Sequence, residues 1–569
     1  MKVVTVSQMQ HIESKSDAAG HSYAAMMEQA GRSVAQLIVA RHSVQDKQVL
    51  VLVGPGNNGG DGLVAARYLS ETGARVTCYM YRERDPAVDE NFRSVLQGPA
   101  RAVLAVEDDD WARLKELTRD ADILIDALLG TGTDLPLRGG VAEMLKIVGR
   151  VVAMRRQPRA TGLTPIASVP GQVAHRPEPL VVAVDGPTGM AYESGALDEV
   201  AVPADLTVTF AYPKTGHFRF PGAGAVGELV VADIGTDPAL ANEVRLEVAT
   251  STMVGGWLPD RPADAHKGTF GKAMLVAGSV NYVGAAYLSG AAATRSGAGL
   301  VTVALPGAIH DAVAARLAEA TYVLLPEAMG VVSRGAADVL MEVLEGYDTL
   351  LLGPGLGREE PTVSFLERLL GGGEERHAVG FQRLAGNAAV LSALPPLVID
   401  ADGLNILATL ERWPERLPAD SILTPHPGEM ARLMDGSVGE VQEDRVTTAQ
   451  VRAAEWGQVV VLKGAYTVVA GPDGRTVIEP FANPGLATAG SGDVLAGAIV
   501  ALRAQGLEAF EAAAAGAYLH GLAGEIAREE IGAAGMVAGD VLAKLPEAFR
   551  RVTRPGARGA PSAALAGYG

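Results

Sequence analysis

Short, largely apolar runs, mostly separated by helix-length segments and most of them followed by Gly or Asp, are what most narrow the folds open to this chain. In the first half they fall at 49–53, 76–81, 123–129, 180–184, 206–210 and 229–232. In the second they fall at 273–277, 300–305, 349–352, 397–399, 422–424 and 459–462. A strand with one wet face alternates apolar and polar residues, whereas a run that is apolar throughout must be covered on both faces. Such strands, separated by helices, build a parallel sheet sandwiched between helical layers, and ligands gather where the carboxyl ends of the strands meet. An α/β architecture is therefore expected throughout.

The pattern runs twice, with a less patterned stretch at 236–266 between the two series. A chain of 569 residues also exceeds what one core commonly supports. Two domains are expected, 1–245 and 246–555, followed by a flexible tail at 556–569. Segments 157–179 and 371–383 break the rhythm and read as surface insertions. Ser7 with Gln10 resembles a capping box opening a first helix. Met26 to Gly31 continues a second, and 494–502 carries the apolar face of a helix packed on a sheet.

Charge and cysteine usage work by exclusion. Sixty-six acidic residues against 48 basic ones give a net charge of -18, which argues against nucleic acid or an anionic membrane as partner. Two arginine clusters, Arg150, Arg155, Arg156 and Arg159, and Arg550, Arg551, Arg554 and Arg558, read as a solvated loop and a frayed tail. The single cysteine, Cys78, rules out an intrachain disulfide and reads as a buried strand thiol in a reducing compartment. With no apolar leader at the start and no run of about eighteen apolar residues elsewhere, the expected location is the cytoplasm.

Three strand ends in the first half carry polar clusters. Gly54-Pro55-Gly56-Asn57-Asn58-Gly59-Gly60-Asp61-Gly62 links a strand to a helix and can cradle a phosphate on backbone N–H groups. Asp126 leads into Gly130-Thr131-Gly132, and Asp185-Gly186-Pro187-Thr188-Gly189 follows the run at 180–184. One Asp at such a place commonly just caps a helix. Three clusters on one sheet edge point to a common ligand, with Asp126 as candidate acid/base.

The second half holds the most informative segment, Asn483 to Gly497, with Gly490-Ser491-Gly492-Asp493 at its centre. Backbone N–H groups at a helix start form an anion hole for a transferring phosphoryl group, and Asp493 can take the proton from the attacking hydroxyl. Lys463-Gly464-Ala465-Tyr466-Thr467 offers a cation, a turn and a hydroxyl for nucleotide phosphates. Further clusters at Gly353 to Gly357, Asp400 to Asn405 and Thr424 to Glu429 bring five polar termini to one sheet. No spacing among the ten histidines and one cysteine suits zinc.

Through Met27-Glu28-Gln29-Ala30-Gly31, the glycine loop and the two Asp motifs, residues 1 to about 235 resemble the epimerase domain of the bifunctional NAD(P)H-hydrate repair enzymes. Residues 250 to about 550 resemble their ribokinase-like dehydratase domain. The resemblance implies a Rossmann-like three-layer αβα domain followed by a ribokinase-like α/β domain. It implies that Asn57, Asn58, Gly59, Gly60, Asp61, Gly130, Thr131, Gly132, Thr133, Asp134, Leu135, Pro136 and Asp185 hold the hydrated dinucleotide, with K+ near Asn58, Asp126 and Thr188. In the second domain Lys463, Gly464, Ala465, Tyr466, Thr467 and Gly492 would bind nucleotide, while Ala285, Gly355, His426 and Asp493 would face the hydrate.

The implied activity is interconversion of the R and S forms at C6 of the hydrated nicotinamide ring, then dehydration of the S form with ADP and Mg2+, yielding AMP and phosphate. Hydrated NADH and NADPH and ADP are thus the expected small-molecule partners, and a homo-oligomer the expected assembly. Two departures are present, and the larger is the insertion at 157–179 just before Asp185. The family more often reads Asp-Ile-Pro-Ser-Gly where this chain has Asp185-Gly186-Pro187-Thr188-Gly189. A rival reading, a kinase for a vitamin precursor fused to a non-catalytic binding scaffold, is disfavoured by the intact Asn58 and Asp126 set.

Overall fold

In the computed structural model, residues 1–132, 134–157, 178–371 and 394–553 are described. Thr133, nearly all of the two insertions and the 556–569 tail lie outside them. The chain divides into two compact units, the first ending at Val244 and the second beginning at Arg245.

The first unit is built on seven strands: β1 (Gln48–Val53), β2 (Arg75–Met80), β3 (Arg101–Leu104), β4 (Ile123–Ala127), β5 (Leu180–Val184), β6 (Leu206–Phe210) and β7 (Glu228–Ala232). Their order is β3-β2-β1-β4-β5-β6-β7, and every pairing is parallel. The two-residue period of a strand divides β1 between two cores. Val49, Val51 and Val53 meet helices Val6–Ala18, Tyr23–Arg41 and Asn57–Glu71, while Leu50 and Leu52 meet Ala112–Asp120 and Gly139–Arg156. Both faces are dry, as the unbroken apolar runs require. The strand order reverses between β1 and β4, which opens the crevice where such sheets bind ligands.

Several local expectations need correction. The capping box opening the first helix belongs to Thr5 and Gln8: the Thr5 hydroxyl accepts the Gln8 N–H at 3.1 Å and the Gln8 side chain accepts the Thr5 N–H at 2.8 Å. Ser7 and Gln10 are inside the helix. Strand β3 escaped the sequence pattern because it is an edge strand with one exposed and three half-buried residues. Arg150, Arg155 and Arg156 lie on helix Gly139–Arg156, where Arg155 bonds the Ala121 carbonyl and Arg156 pairs with Asp205. Arg550 and Arg551 lie on helix Ala538–Thr553, both paired with Glu547. Cys78 is buried as expected, its thiol pushed by burial up to about 12.

The second unit carries β8 (Leu246–Val248), β9 (Lys272–Val276), β10 (Leu300–Pro306), β11 (Thr321–Leu325), a small hairpin of β12 (Glu327–Ala328) and β13 (Val331–Val332), β14 (Thr349–Leu352), β15 (Leu397–Ile399), β16 (Ile422–Leu423), β17 (Val459–Leu462), β18 (Val468–Ala470) and β19 (Thr476–Ile478). Ten of them form one sheet in the order β11-β10-β9-β14-β15-β16-β17-β18-β19-β8. The sheet is mixed: β18 runs antiparallel to both neighbours. Strands β18, β19 and β8 have three residues each, too few for an apolar run to stand out.

Because β18 reverses the chain and β19 reverses it again, β14, β15, β16, β17 and β19 all present their carboxyl ends on one edge. One face is covered by helices Val283–Arg295, Ser491–Ala504, Ala509–Ile531 and Ala538–Thr553. Gly497 sits where two of these cross, since a Cβ there would lie 2.2 Å from the Ser289 carbonyl oxygen. Among the described residues, no helix is long and apolar enough to cross a membrane.

Candidate active sites

In the first unit, helix Asn57–Glu71 begins inside the glycine motif, earlier than the loop reading placed it, with no side-chain cap at Gly56. The first N–H groups of a helix have no intrahelical acceptor, so this end attracts anions. Gly59 is obligatory, because a Cβ there would come within 2.1 Å of the Gly54 carbonyl oxygen. Arg84, in no motif, donates to the carbonyls of Gly54 at 2.8 Å and Gly56 at 2.6 Å, and to Asp89 at 2.5 Å. The turn opens into a pocket of about 810 Å³ whose lining includes Glu13, Met27, Asn57, Gly60, Asp61 and Arg84.

Among the described residues, Asp126 and Asp185 are the N-cap of no helix. Asp126, 2 % exposed, accepts the Thr188 hydroxyl at 2.6 Å, the Thr188 N–H at 2.8 Å and the Leu128 N–H at 3.3 Å. Burial raises its carboxyl, and the Thr188 bonds only partly oppose that. The two residues proposed to share an ion therefore already share hydrogen bonds. The Asn58 side-chain nitrogen is buried with no hydrogen-bond partner among the described residues. Gly130 packs against Asn58, with room for a Cβ only 3.4 Å from that side chain. Beyond it, Gly132, Asp134 and Pro136 are exposed and Thr131 and Leu135 half-buried.

Asp185 has φ +65° and accepts Lys214 Nζ at 2.5 Å and the Thr209 hydroxyl at 2.7 Å. His217 Nε2 lies 3.0 Å from the Asp185 carbonyl. Burial works to raise Asp185, but Lys214, then His217, hold it below the ordinary carboxylate range. The same negative charge, after burial, raises Asp61, and Glu13 adds to the effect. Lys214, Glu13 and Arg84 were not found from sequence, because nothing local marks a residue whose partner lies in another part of the chain.

The departure at Gly186 has a structural counterpart. A Cβ at 186 would sit 2.7 Å from the Tyr192 hydroxyl, and the ring atoms of Tyr192 come within 3.0 Å. Tyr192 thus occupies the space a larger residue at 186 would need. Its hydroxyl is buried with no partner among the described residues, and burial, Asp185 and Asp126 together hold it protonated.

In the second unit Gly490, at φ +87°, is the N-cap of helix Ser491–Ala504; the Ser491 N–H donates to the Thr488 carbonyl at 3.4 Å, and the N–H groups of Gly492 and Asp493 have no intrahelical acceptor. Asp493 is pushed up to about 7, first by burial and then by Asp400, with Lys463 opposing. Lys463 does not hang free for a nucleotide: its Nζ lies 2.6 Å from Asp400 and 3.6 Å from Glu429. Burial lowers that ammonium, but Asp400 and Glu429 hold it above its ordinary value. Asp400 also accepts the Thr424 hydroxyl at 2.7 Å, and burial pushes Glu429 up to about 7. Asp400 and Glu429 stood in the strand-end clusters without a named role.

The exposed turn of Gly464 and Ala465 is closed by Thr467, whose hydroxyl donates to the Gly464 carbonyl at 2.9 Å. The Tyr466 N–H donates to the Phe481 carbonyl at 2.8 Å. His426 is exposed, not a buried structural histidine. Its Nδ1 accepts the Gly428 N–H at 2.9 Å, which fixes the neutral tautomer with the proton on Nε2. Ala285 and Gly355 touch, since a Cβ on Gly355 would meet that of Ala285 at 2.7 Å.

A family model described as NAD(P)H-hydrate dehydratase matches residues 273–547, and one described as YjeF-related protein N-terminus matches residues 23–216. The chain is 38% identical over 558 residues to a bifunctional NAD(P)H-hydrate repair enzyme of Thermofilum pendens, covering 97% of this chain and 96% of that one. It is 38% identical over 536 residues to that of Moorella thermoacetica, covering 93% and 92%. A crystal structure of an ADP/ATP-dependent NAD(P)H-hydrate dehydratase from Bacillus subtilis, co-crystallised with ATP and Mg2+, is 31% identical. The match covers 54% of this chain and 98% of that chain, with a TM-score of 0.45.

Proposed function

This chain belongs to the family of bifunctional NAD(P)H-hydrate repair enzymes, and on that premise we propose how its residues divide the work. The protein repairs hydrated NADH and NADPH: the first unit epimerises the hydrate and the second dehydrates it. In the first, the C6 hydroxyl leaves and returns, assisted by the ring nitrogen, and Asp126 gives and retakes the proton. Residues 57–61 and 130–136 and Asp185 hold the dinucleotide. The oxygen donors of Asp126 and Thr188, with the unpartnered Asn58 amide, which turned over presents its oxygen, suit a hard cation. Potassium held there would supply positive charge beside the departing hydroxyl.

In the second unit, Asp493 accepts the proton of the C6 hydroxyl as that oxygen attacks the β-phosphorus of ADP and AMP leaves. The phosphorylated oxygen then departs as phosphate, pushed by the ring nitrogen, and loss of a C5 proton restores the dihydronicotinamide. The 463–467 turn and Gly492 hold the nucleotide, with His426, Ala285 and Gly355 against the hydrate. Mg2+ would arrive with the phosphates and neutralise them.

The observation that carries this reading is the Gly490-capped helix start, where a Cβ on Gly492 would lie 3.5 Å from Lys463 Nζ and 3.8 Å from Asp400 Oδ2, with the raised carboxyl of Asp493 beside it. We place the protein in the cytoplasm with its substrates, and sedimentation would test the proposed homo-oligomer. The deciding experiment mixes the chain with chemically hydrated NADH, with and without ADP, and follows NADH absorbance alongside chiral analysis of the remaining hydrate. Absence of nucleotide-dependent recovery would overturn the dehydratase assignment.

A further inference from the structure

The pocket above the glycine turn has two walls drawn from distant stretches of the chain. One is the strand-to-helix turn itself, with Pro55, Gly56 and Asn57; the other is the start of helix Glu90–Gln97, with Asp89, Asn91 and Ser94. Arg84 touches both. Its Nη2 donates to Gly54 O and Gly56 O, and its Nη1 to Asp89 Oδ2. The other oxygen of Asp89 accepts the Phe92 N–H at 3.0 Å and so caps the second wall's helix. Farther along, Asn91 Nδ2 lies 3.2 Å from Met27 Sδ, which itself packs on Gly60.

We propose that Arg84 is a strut that sets the width of this pocket, and hence a positioning residue for the hydrated dinucleotide; this rests on reading the pocket as part of the epimerase substrate site. A guanidinium is a rigid planar fork that can serve acceptors on two sides at once, which the single point charge of a lysine cannot reproduce. Arg84 and Asp89 are only 12% and 21% exposed, so their charge-assisted bonds are little screened. The strut also orients the anion site. In a trans peptide the C=O and N–H point opposite ways. Drawing the Gly56 carbonyl toward Arg84 therefore turns the Asn57 N–H away from it, toward the open mouth of the turn. A Cβ at Gly59 would come within 2.7 Å of Arg84 Nη2, so the glycine spacing and the strut fit one another.

The test compares the full-length parent with Arg84→Met, Arg84→Lys and Asp89→Asn, measuring initial epimerisation rates of R-enriched hydrated NADH across hydrate concentrations. Thermal unfolding of the same preparations controls for folding of the first unit, and S-epimer dehydration for that of the second. Because loss of binding shared by ground and transition states raises KM and leaves kcat nearly unchanged, Arg84→Met is expected to raise KM about tenfold or more with kcat changed less than about threefold. Arg84→Lys should recover part of that loss. Asp89→Asn keeps a cap for Phe92 but drops the charge, and should raise KM by an intermediate factor. This last variant carries the test if Arg84→Met does not fold. An unchanged KM, or a lower kcat at constant KM, overturns the strut. A parent without epimerisation overturns the underlying reading instead.

Discussion

As the proposed base, Asp493 must be ionised to act, so dehydration should switch on with rising pH. Burial and the neighbouring charge of Asp400 place its carboxyl at about 7. A raised carboxyl is protonated, and idle as a base, below that value and competent above it. From pH 6 to pH 8 the ionised fraction goes from about one tenth to about nine tenths, so kcat/KM for S-hydrate should climb about tenfold. Asp400→Asn tests the cause. It removes the charge that raises Asp493 and frees Lys463, whose ammonium lowers it, so both changes move the midpoint down. The assay is the initial recovery of NADH absorbance at saturating nucleotide and low hydrate, across this range, for the parent, Asp400→Asn and Glu429→Gln. The last is needed because Glu429 also sits at about 7. A flat parent profile would refute the assignment. So would loss of the rise in Glu429→Gln, which would give the titration to Glu429, a group that Asp400 raises as well. Asp493→Asn should lower the rate by about a hundred- to ten-thousand-fold and leave epimerisation intact.

Asp126→Ala should stop use of the R epimer beyond its spontaneous inversion while S-epimer dehydration continues; chiral chromatography of the residual hydrate decides this, and replacing K+ by a larger organic cation should have the same effect. ADP should outperform ATP as donor in initial rates measured with enzymatically purified nucleotides, since a third phosphate would displace the reacting group from the Gly490 helix start; faster turnover with ATP would reverse that choice. Gly186→Ile should be strongly destabilising because it collides with Tyr192. Tyr192→Ala alone should cost about 3 kcal/mol through the space it empties. Thermal unfolding of the double variant should recover much of both losses, and simple additivity would show that the two positions do not share one volume.

What could be read ahead of the structure follows from how local the physical cause is. The apolar runs of β1, β5 and β9 announce themselves because double-sided burial acts on every residue of the strand. Strand β3, wet along one edge, and β8, three residues long, leave no such mark. In the sites the same division holds. Asn58, Asp126, Asp185 and Asp493 stand at glycine-rich strand ends, where backbone approach to a ligand forces a recognisable composition. Partners outside the motifs do not. Lys214 reaches Asp185 across 29 positions and Thr209 reaches it across 24, and neither distance leaves a periodic trace. The change at Gly186 shows the consequence. Against the family pattern it looks like the loss of a side chain from a ligand-binding turn. In the folded protein the volume is refilled from Tyr192, which also brings a protonated hydroxyl between two carboxylates. Whether a departure within a motif weakens a site is therefore decided by the residue that packs against it, and that residue is named by the fold.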